Sequence, residues 1–301
     1  MLTRRTDLAV EAKEIWKESA EKTTKLEGVE ARDLTREKYP VNYVKILDDK
    51  GAKALGKPVG TYITLNLEGF AQREEDFFGR AVRALAAELA PLLQLSGEES
   101  VLVVGLGNGA ITPDAVGPLT MEQIMVTRHL ATAMPEQFGQ FRKVSAVASG
   151  VLGTTGIESA ELIAGVVERA KPDRIIAVDA LASRRLSRVC TTIQLADTGI
   201  VPGSGVGNKR AALNRESLGI PVVAIGVPTV VDAGTLAADI VEEAGVADLD
   251  PEALASFGGN TIVTLKEIDL QVRDISKVIG YGINMALQKD MSVEDINSFL
   301  S

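Results

Sequence analysis

From residue 101 onward the chain alternates between short, unbroken apolar runs and longer amphipathic stretches. The runs are rich in β-branched residues, which suits parallel strands buried on both faces of a sheet. They are Val101–Leu106, Val144–Ala148, Arg174–Val178, Pro221–Val227 and Thr261–Thr264. The stretches with helical three- and four-residue spacing are Thr120–Ala133, Ser159–Ala170 and Ala233–Ala244. This alternation predicts an α/β fold, a mainly parallel sheet with helices on both faces.

Further elements are predicted before and after this core. Alternation of apolar and polar residues predicts a two-stranded unit at a sheet edge, and Asp48–Gly51 is a turn signal between its strands. The additional strands are Val41–Leu47, Tyr62–Leu67 and a short Ile193–Leu195. The additional helices run from Thr6 or Asp7 to about Lys22, over Glu74–Leu93, over Asp269–Gln288, and from a capping Ser292 onward. We expect one domain over residues 1–301, with residues 1–70 forming a peripheral helix and edge strands.

Composition excludes several classes of function. The chain has 41 acidic and 32 basic residues and a net charge of −9, so nucleic acid is not an expected partner. No apolar run approaches the roughly 20 residues of a membrane helix, and the N-terminus lacks the apolar core of a signal peptide. The single cysteine, Cys190, cannot form an internal disulfide. We therefore expect a soluble protein in a reducing cytoplasm, without a membrane partner.

Carboxylates follow three of the apolar runs. Asp114 lies in the loop after the first run, Asp179 directly follows the third, and Asp232 follows the fourth. Ligands of open α/β sheets bind beyond the carboxyl ends of the strands, where these side chains should lie. Two neighbouring carboxylates share one proton, so one can deprotonate water while the other acts as an acid, as amide hydrolysis requires. The alternatives are capping and backbone hydrogen bonding by these residues, or an oxygen-only metal site built from all three.

Other candidate motifs are weaker. Gly105–Ala110 matches the dinucleotide fingerprint formally, but Pro113 and Pro118 interrupt the helix that should follow. The single histidine, His129, lies in a helical stretch and is expected to be a surface or packing residue. Cys190 has no activating neighbour in the sequence and is expected to be a small buried residue. These observations favour neither a nucleotide site nor a histidine- or cysteine-dependent hydrolase.

Several long segments, in a fixed order, resemble the germination protease (spore protease) family of spore-forming bacteria. They are Arg5–Ala12, Gly105–Asn108, Thr112–Pro118, Gly150–Glu158, Val178–Ala182, Asp197–Asn208 and Gly219–Ala233. The resemblance implies an endopeptidase of atypical aspartic type that degrades small acid-soluble spore proteins during germination in the spore core. It implies no cofactor, and the family's two essential aspartates fall by motif on Asp114 and Asp179.

The resemblance also implies a fold similar to that of hydrogenase-maturation endopeptidases, a homotetramer, and a zymogen that loses a short N-terminal piece. Only residues 1–4 precede Arg5, so we expect a minimal or absent activation switch. Two alternatives stay open: a metal-dependent peptidase of the maturation type, and a non-catalytic protein that binds spore proteins.

A peptide substrate should lie extended across the carboxyl edge of the sheet. The loop at Gly203–Asn208 and the arginines after Asp179 are the expected walls of its cleft; the arginines could grip acidic side chains or simply form a solvated face. The candidate substrate-binding residues are Asn108, Arg184, Arg185, Gly203, Ser204, Gly205, Asn208 and Asp232.

Overall fold

A computed structural model describes residues 5–19, 26–67, 76–204, 210–244 and 261–301. Nine strands in these ranges form one sheet. They are β1 Val29–Arg36, β2 Tyr39–Ile46, β3 Gly60–Asn66, β4 Val101–Leu106, β5 Val144–Gly150, β6 Arg174–Ser183, β7 Thr192–Ala196, β8 Val222–Asp232 and β9 Ile262–Val263. Their spatial order is β1-β2-β3-β7-β8-β6-β4-β5, and β9 pairs with the end of β8.

The predicted parallel strands form the C-terminal half of the sheet. Strands β5, β4, β6 and β8 pair in parallel in that order. All six residues of β4 and all eleven of β8 are buried, because helices cover both faces. Strands β6 and β8 each continue five residues beyond their predicted ends, to Ser183 and Asp232. The α/β class is therefore confirmed for this half of the chain.

The sheet as a whole is mixed, not mainly parallel. Strands β1, β2, β3 and β7 pair antiparallel in that order, and β7 also pairs antiparallel with β8. The short strand expected at Ile193–Leu195 is thus an interior strand between two halves of the sheet. Strand β1 was not predicted because its residues are mostly exposed and polar. The run Thr261–Thr264 was wrongly predicted as a buried parallel strand: β9 has two residues, is partly exposed and is antiparallel.

Helices connect and cover these strands. They are α1 Ala9–Ser19, α2 Asp49–Leu55, α3 Phe77–Leu93, α4 Val116–Met121, α5 Arg128–Ala133, α6 Pro135–Phe138, α7 Leu152–Thr155, α8 Ser159–Ala170, α9 Arg215–Leu218, α10 Ala233–Glu243, α11 Ile268–Leu287 and α12 Val293–Leu300. Helix α8 has the predicted bounds, and Ser292 caps α12 as predicted. Lys22, the expected end of the first helix, lies outside the described residues. Asp48 does not form a simple turn, because it caps α2.

The helix predicted at Thr120–Ala133 is divided into α4 and α5. The buried side chain of Asn284 on α11 replaces the missing helical hydrogen bonds: its Oδ1 accepts from Met125 N–H at 2.9 Å, and its Nδ2 donates to Gln123 O at 2.8 Å. Because a distant side chain satisfies these backbone groups, the chain can leave the helix without an energetic penalty from unpaired buried groups. Local periodicity contains no information about that contact.

Alternate residues of the parallel strands supply two apolar layers. Val103 of β4 packs with helices α3 and α11 on one face, whereas Leu102 packs with Ile163 of α8 on the other. The core is aliphatic, as the 4% aromatic content requires. Packing on both faces fixes the strands rigidly and leaves their carboxyl ends as the exposed edge on which a site can form.

Candidate functional site

A cavity of about 300 Å³ lies at the carboxyl end of the parallel strands. Five charged residues and a set of apolar residues line it. The charged residues are Asp7, Asp114, Glu158, Asp179 and Arg210. The apolar residues include Leu106, Ile111, Val151, Leu152, Leu181, Val230 and Ile262. Two carboxyl groups singled out from the sequence thus meet in one cavity, which the carboxyl groups of Asp7 and Glu158 also line.

Asp114 ends a single 3-10 turn, Thr112–Asp114, in the loop after β4. Its Oδ2 accepts a hydrogen bond from the Asn108 main-chain N–H at 2.7 Å. Gly107 has φ +105°, and a Cβ there would lie 2.1 Å from the main-chain oxygen of Asp114. Only glycine therefore fits under this turn, and the loop fixes the Asp114 carboxyl in the cavity.

Asp179 lies within β6 rather than just after its strand, because β6 continues to Ser183. It is buried, with 5% of its surface exposed, and its Oδ1 accepts the Ala180 N–H at 2.9 Å. Burial raises the pKa of Asp179 well above the ordinary value, and the negative charges of Asp114 and Asp7 raise it further. Asp179 therefore retains its proton at a pH where an ordinary aspartate has lost it.

The environment of Asp114 is different. The residue is only half-buried, and burial raises its pKa while the hydrogen bond from the Asn108 N–H acts in the opposite direction. A hydrogen bond donated to the carboxylate favours the ionised form. The two aspartates thus have unequal proton affinities, and Asp179 is the one that holds the proton.

Asp7, like Glu158, is a carboxylate in the cavity that the sequence pattern did not single out. Its Oδ2 accepts from Ala182 N–H at 2.9 Å and its Oδ1 from Ser204 Oγ at 2.7 Å. It precedes α1 and is far from the strands in sequence, so no strand-end argument could select it. Its membership of the motif Arg5–Ala12 was the only signal available.

The predicted loop residues are partly described. Gly203 lines the cavity, and the Ser204 hydroxyl binds Asp7. Asn108 contributes its main-chain N–H to Asp114, and its side-chain Oδ1 accepts from Ala110 N–H at 3.0 Å. Gly205 and Asn208 lie outside the described residues.

The arginines after Asp179 are engaged in ion pairs within the fold. Arg184 is buried, and its guanidinium lies 2.9 Å from Asp239 and 2.7 Å from Glu18. Arg185 is partly exposed and lies 3.9 Å from both Glu18 and Glu243. Neither arginine is among the residues that line the cavity.

Asp232 ends β8 but does not line the cavity with the other two predicted aspartates. Its Oδ1 accepts from the N–H and hydroxyl of Thr235 at 2.8 and 3.0 Å, which is the arrangement of a helix-capping residue before α10. Its Oδ2 lies 3.6 Å from Arg5. Within the described ranges, no three His, Cys, Asp or Glu side chains are arranged to hold a metal ion.

The remaining chemical candidates agree with their expected roles. His129 is exposed on α5, and Cys190 is buried, with desolvation raising the pKa of its thiol to about 12. In the part of the chain that the structure describes, no helix is both long and apolar enough to cross a membrane.

Comparison with known proteins gives a consistent result. The family model described as germination protease matches residues 9–244. Proteins named germination protease are 47% identical in Caldanaerobacter subterraneus subsp. tengcongensis, covering 98% of both chains, and 45% identical in Clostridium tetani, covering 99% of both. One from Oceanobacillus iheyensis is 39% identical over 98% of this chain and 97% of its own. The solved NiFe hydrogenase maturation protease HycI from Thermococcus kodakarensis KOD1 aligns at 18% identity and a TM-score of 0.37, covering 65% of this chain and 98% of that chain.

Proposed function

This chain belongs to the germination protease family, and from that premise we propose that it is an endopeptidase that degrades small acid-soluble spore proteins during spore germination. Water activated between Asp114 and Asp179 is the proposed nucleophile. The observation that carries the proposal is that both carboxyls line one cavity and one of them, Asp179, is buried. Among the described residues, no cation forms an ion pair with either carboxyl, so burial there has no evident structural benefit.

The different environments of the two aspartates support opposite roles. Asp114, whose carboxylate is stabilised by the Asn108 N–H, accepts a proton as water attacks the scissile carbonyl carbon. Asp179 donates its proton to the carbonyl oxygen, so a neutral tetrahedral diol forms. When the carbon–nitrogen bond breaks, the proton on Asp114 passes to the leaving nitrogen and one diol proton returns to Asp179. Both carboxyls thereby recover their starting states without a covalent enzyme intermediate.

The lining of the cavity suits a peptide segment. Apolar side chains contribute to it, and two of them, Ile111 and Ile262, are 54% and 51% exposed. Exposed apolar residues beside a catalytic pair can bind the side chains of an unfolded substrate. Gly203 and Ser204 are the proposed loop wall.

We also propose that the protein is a homotetramer and passes through a zymogen stage in the spore core. Light scattering would test the homotetramer, and N-terminal analysis of the protein from spores would test the zymogen stage.

The proposal is tested by Asp114→Asn and Asp179→Asn. Each variant should cleave a purified small acid-soluble spore protein at least about 100-fold more slowly, because a positioned acid or base contributes about 10²–10⁴-fold. The matched control is Asp173→Asn, which changes an exposed aspartate directly before the first residue of β6. That variant should cleave at nearly the normal rate.

The outcomes separate the alternatives. A folded Asp114 or Asp179 variant with near-normal cleavage would refute the two-aspartate mechanism. Binding of the spore protein without cleavage by the unaltered chain would favour the non-catalytic alternative. Activity that disappears on dialysis against a chelator and returns with added metal would favour the metal-dependent one.

The pH dependence supplies a second test. Asp114 must be ionised, so the rate should fall as pH decreases through its pKa, which burial raises. Asp179 must be protonated, so the rate should also fall as pH increases through its still higher pKa. We expect a bell-shaped profile whose two limbs belong to the coupled pair. A rate that keeps rising well above neutral pH would contradict the acid role of Asp179.

A further inference from the structure

Strand β8 contains a bulge where it reaches the cavity. Its register with β6 pairs Leu181 with Pro228, and the next pair along is Ala182 with Val230. Thr229 is therefore an extra residue that has no partner on β6. A bulge of this kind re-aims a side chain, and bulges are frequent next to active sites. Proline suits the position before it, because proline has no N–H to contribute to a sheet.

Other parts of the fold bind the main chain of this bulge. Pro228 O accepts a hydrogen bond from the Cys190 N–H at 2.7 Å, and Thr229 O accepts one from the Thr264 hydroxyl at 2.6 Å. Neither bond involves the Thr229 side chain. The bulge is thus fixed through its main chain, and the Thr229 hydroxyl is not needed to hold it.

The Thr229 hydroxyl itself has no hydrogen-bond partner among the described residues. Only 1% of the residue is exposed. Burying a polar group without a partner is unfavourable, and such groups are uncommon in folded proteins. Thr229 lines the same cavity as Asp114 and Asp179. A molecule bound in the cavity is therefore the source from which this hydroxyl can gain a partner.

The uncharged polar groups of the cavity are few. Among the described residues that line it, two have uncharged polar side chains, Ser159 and Thr229. The Ser159 hydroxyl is engaged, because it donates to Gly150 O at 3.1 Å and accepts from the Ser149 hydroxyl at 3.2 Å. A peptide that enters the cavity loses water from its main-chain N–H and C=O groups, which then need protein partners. The Thr229 hydroxyl is the uncharged side-chain group available to them.

We propose that Thr229 is a substrate-binding residue, whose hydroxyl forms a hydrogen bond with a main-chain amide group of the bound peptide. This inference rests on the proposed protease function and adds how the same site holds its substrate. A threonine hydroxyl can donate and accept, so it suits either an N–H or a C=O of the peptide. The apolar side chains of Val230 and Ile262, which also line the cavity, suit the side chains of the peptide.

The register of the sheet places this contact relative to the scissile bond. Asp179 pairs with Gly226, and Thr229 follows Gly226 by three residues on the same strand. At about 3.3 Å per residue, and with one residue taken up by the bulge, the offset along the strand is roughly 7–10 Å. An extended peptide has a similar rise per residue. The hydroxyl should therefore bind the substrate two or three residues from the bond that is cleaved.

The experiment replaces Thr229 by valine, which removes the hydroxyl and keeps the size of the side chain. With a purified small acid-soluble spore protein, KM of the active protein should rise at least about 5-fold while kcat changes little, because a contact made equally by bound substrate and transition state affects binding alone. Thr229→Ser keeps the hydroxyl and should leave KM within about 2-fold of normal. In an Asp179→Asn background, the dissociation constant of the uncleaved spore protein should rise by the same factor as KM.

The matched control is Thr64→Val on β3. Thr64 is 2% exposed and its hydroxyl also has no partner among the described residues, but it is not one of those that line the cavity. Both valine substitutions remove a hydroxyl without a partner, so neither should lower the melting temperature. Thr229→Val should raise KM and Thr64→Val should not. Both should leave the pH dependence of kcat in place, because neither changes a charge near the two aspartates.

A peptide series tests whether the contact is with the main chain. Synthetic peptides that span the cleavage site carry different side chains two and three residues from the scissile bond. The ratio of KM between Thr229→Val and the unaltered protein should be the same for all of them, because every peptide has the same main chain. A ratio above one for a single side chain only would overturn the main-chain contact.

A folded Thr229→Val variant whose KM stays within about 2-fold of normal would overturn this inference, since loss of a buried hydrogen bond costs more than that. So would an equal rise of KM in Thr64→Val, or in Thr229→Ser. Thr229→Ala supplies the same test if Thr229→Val does not fold. Failure of the proposed function gives a different result, because Asp179→Asn would then cleave at a near-normal rate. If Asp179→Asn is inactive and Thr229→Val binds normally, only the role of Thr229 is wrong.

Discussion

Replacing Asp179 by asparagine should inactivate the protein and at the same time stabilise its fold at neutral pH. Asparagine has the same shape and can still accept the Ala180 N–H through its Oδ1. It carries no charge, so it avoids the cost of ionising a buried carboxyl. Catalytic groups commonly destabilise a folded protein in this way, and replacing them commonly increases its stability.

The pH dependence of the effect follows from the raised pKa of Asp179. Between its ordinary value of 3.8 and its folded pKa, the folded protein holds a proton that the unfolded chain has lost. The unfolded state then binds fewer protons, so stability decreases as pH rises, by up to about 1.4 kcal/mol per pH unit. The Asp179→Asn variant has no group at this position to ionise, so its stability does not decrease with pH for this reason. The difference in the free energy of unfolding between the two proteins should be absent below pH 3.8 and should grow between pH 3.8 and the folded pKa of Asp179. Above that pKa it should stay constant.

Urea denaturation followed by circular dichroism, at fixed protein concentration and at pH values from about 4 to 8, measures this difference. The matched control is Asp173→Asn. Hydrogen bonds from Ser100 lower the pKa of Asp173, so its ionised form stabilises the fold above the ordinary pKa and this contribution disappears as pH falls. Neutralising Asp173 should therefore lower stability at neutral pH. The same substitution, made at Asp179 within β6 and at Asp173 just before it, thus has opposite effects on stability.

An Asp179→Asn variant that is less stable than the unaltered protein at pH 7 would refute this reasoning. A stabilisation that does not change with pH would also refute it, since ionisation would then not be its cause. Loss of activity combined with a gain in stability is the result that a structural role for Asp179 cannot produce.

Two further predictions concern the surroundings of the site. Gly107→Ala should lower kcat by about 10- to 100-fold, because its Cβ would displace Asp114 and small displacements of catalytic groups are costly; Gly153→Ala, where a Cβ meets nothing within 4 Å, is the control, and equal activities would count against the prediction. Arg184→Met should lower the free energy of unfolding, measured by urea denaturation, by about 3 kcal/mol or more, because it leaves Glu18 and Asp239 without this partner. Arg185→Met, at a side chain 42% exposed, should cost less than about 0.5 kcal/mol, and similar losses in both would contradict this reasoning.

The elements that the sequence predicted well are those with an unbroken apolar run or a regular helical period. Strand β4 and helix α8 have the bounds that their apolar patterns indicated. The break between α4 and α5 was missed because Asn284, far along the chain, satisfies the backbone there. Strand β1 was missed because an exposed edge strand needs no apolar face. The antiparallel pairing of β7 could not be predicted from its local sequence either, because a buried strand can have the same residues in a parallel and in an antiparallel pair.

For the site, strand-end placement selected Asp114 and Asp179, and both line the cavity. The same argument selected Asp232, which is engaged in capping α10. Position relative to a strand indicates which edge of the sheet a side chain lies on. It does not indicate whether a nearer hydrogen-bond donor will bind that side chain first. Asp7 illustrates the converse, because a residue outside the strands reaches the cavity by attachment of its segment to β6.

By itself, the sequence determined the α/β class, the buried parallel strands and the edge of the sheet at which Asp114 and Asp179 lie, because burial and chain direction are encoded in local patterns of residues. Only the tertiary structure decided that the sheet is mixed, that Arg184 is neutralised within the fold, and that Asp7 enters the cavity. It also decided the unequal proton affinities of Asp114 and Asp179. The physical reason is that desolvation and charge interactions depend on distances in space, and those arise only when remote segments pack together.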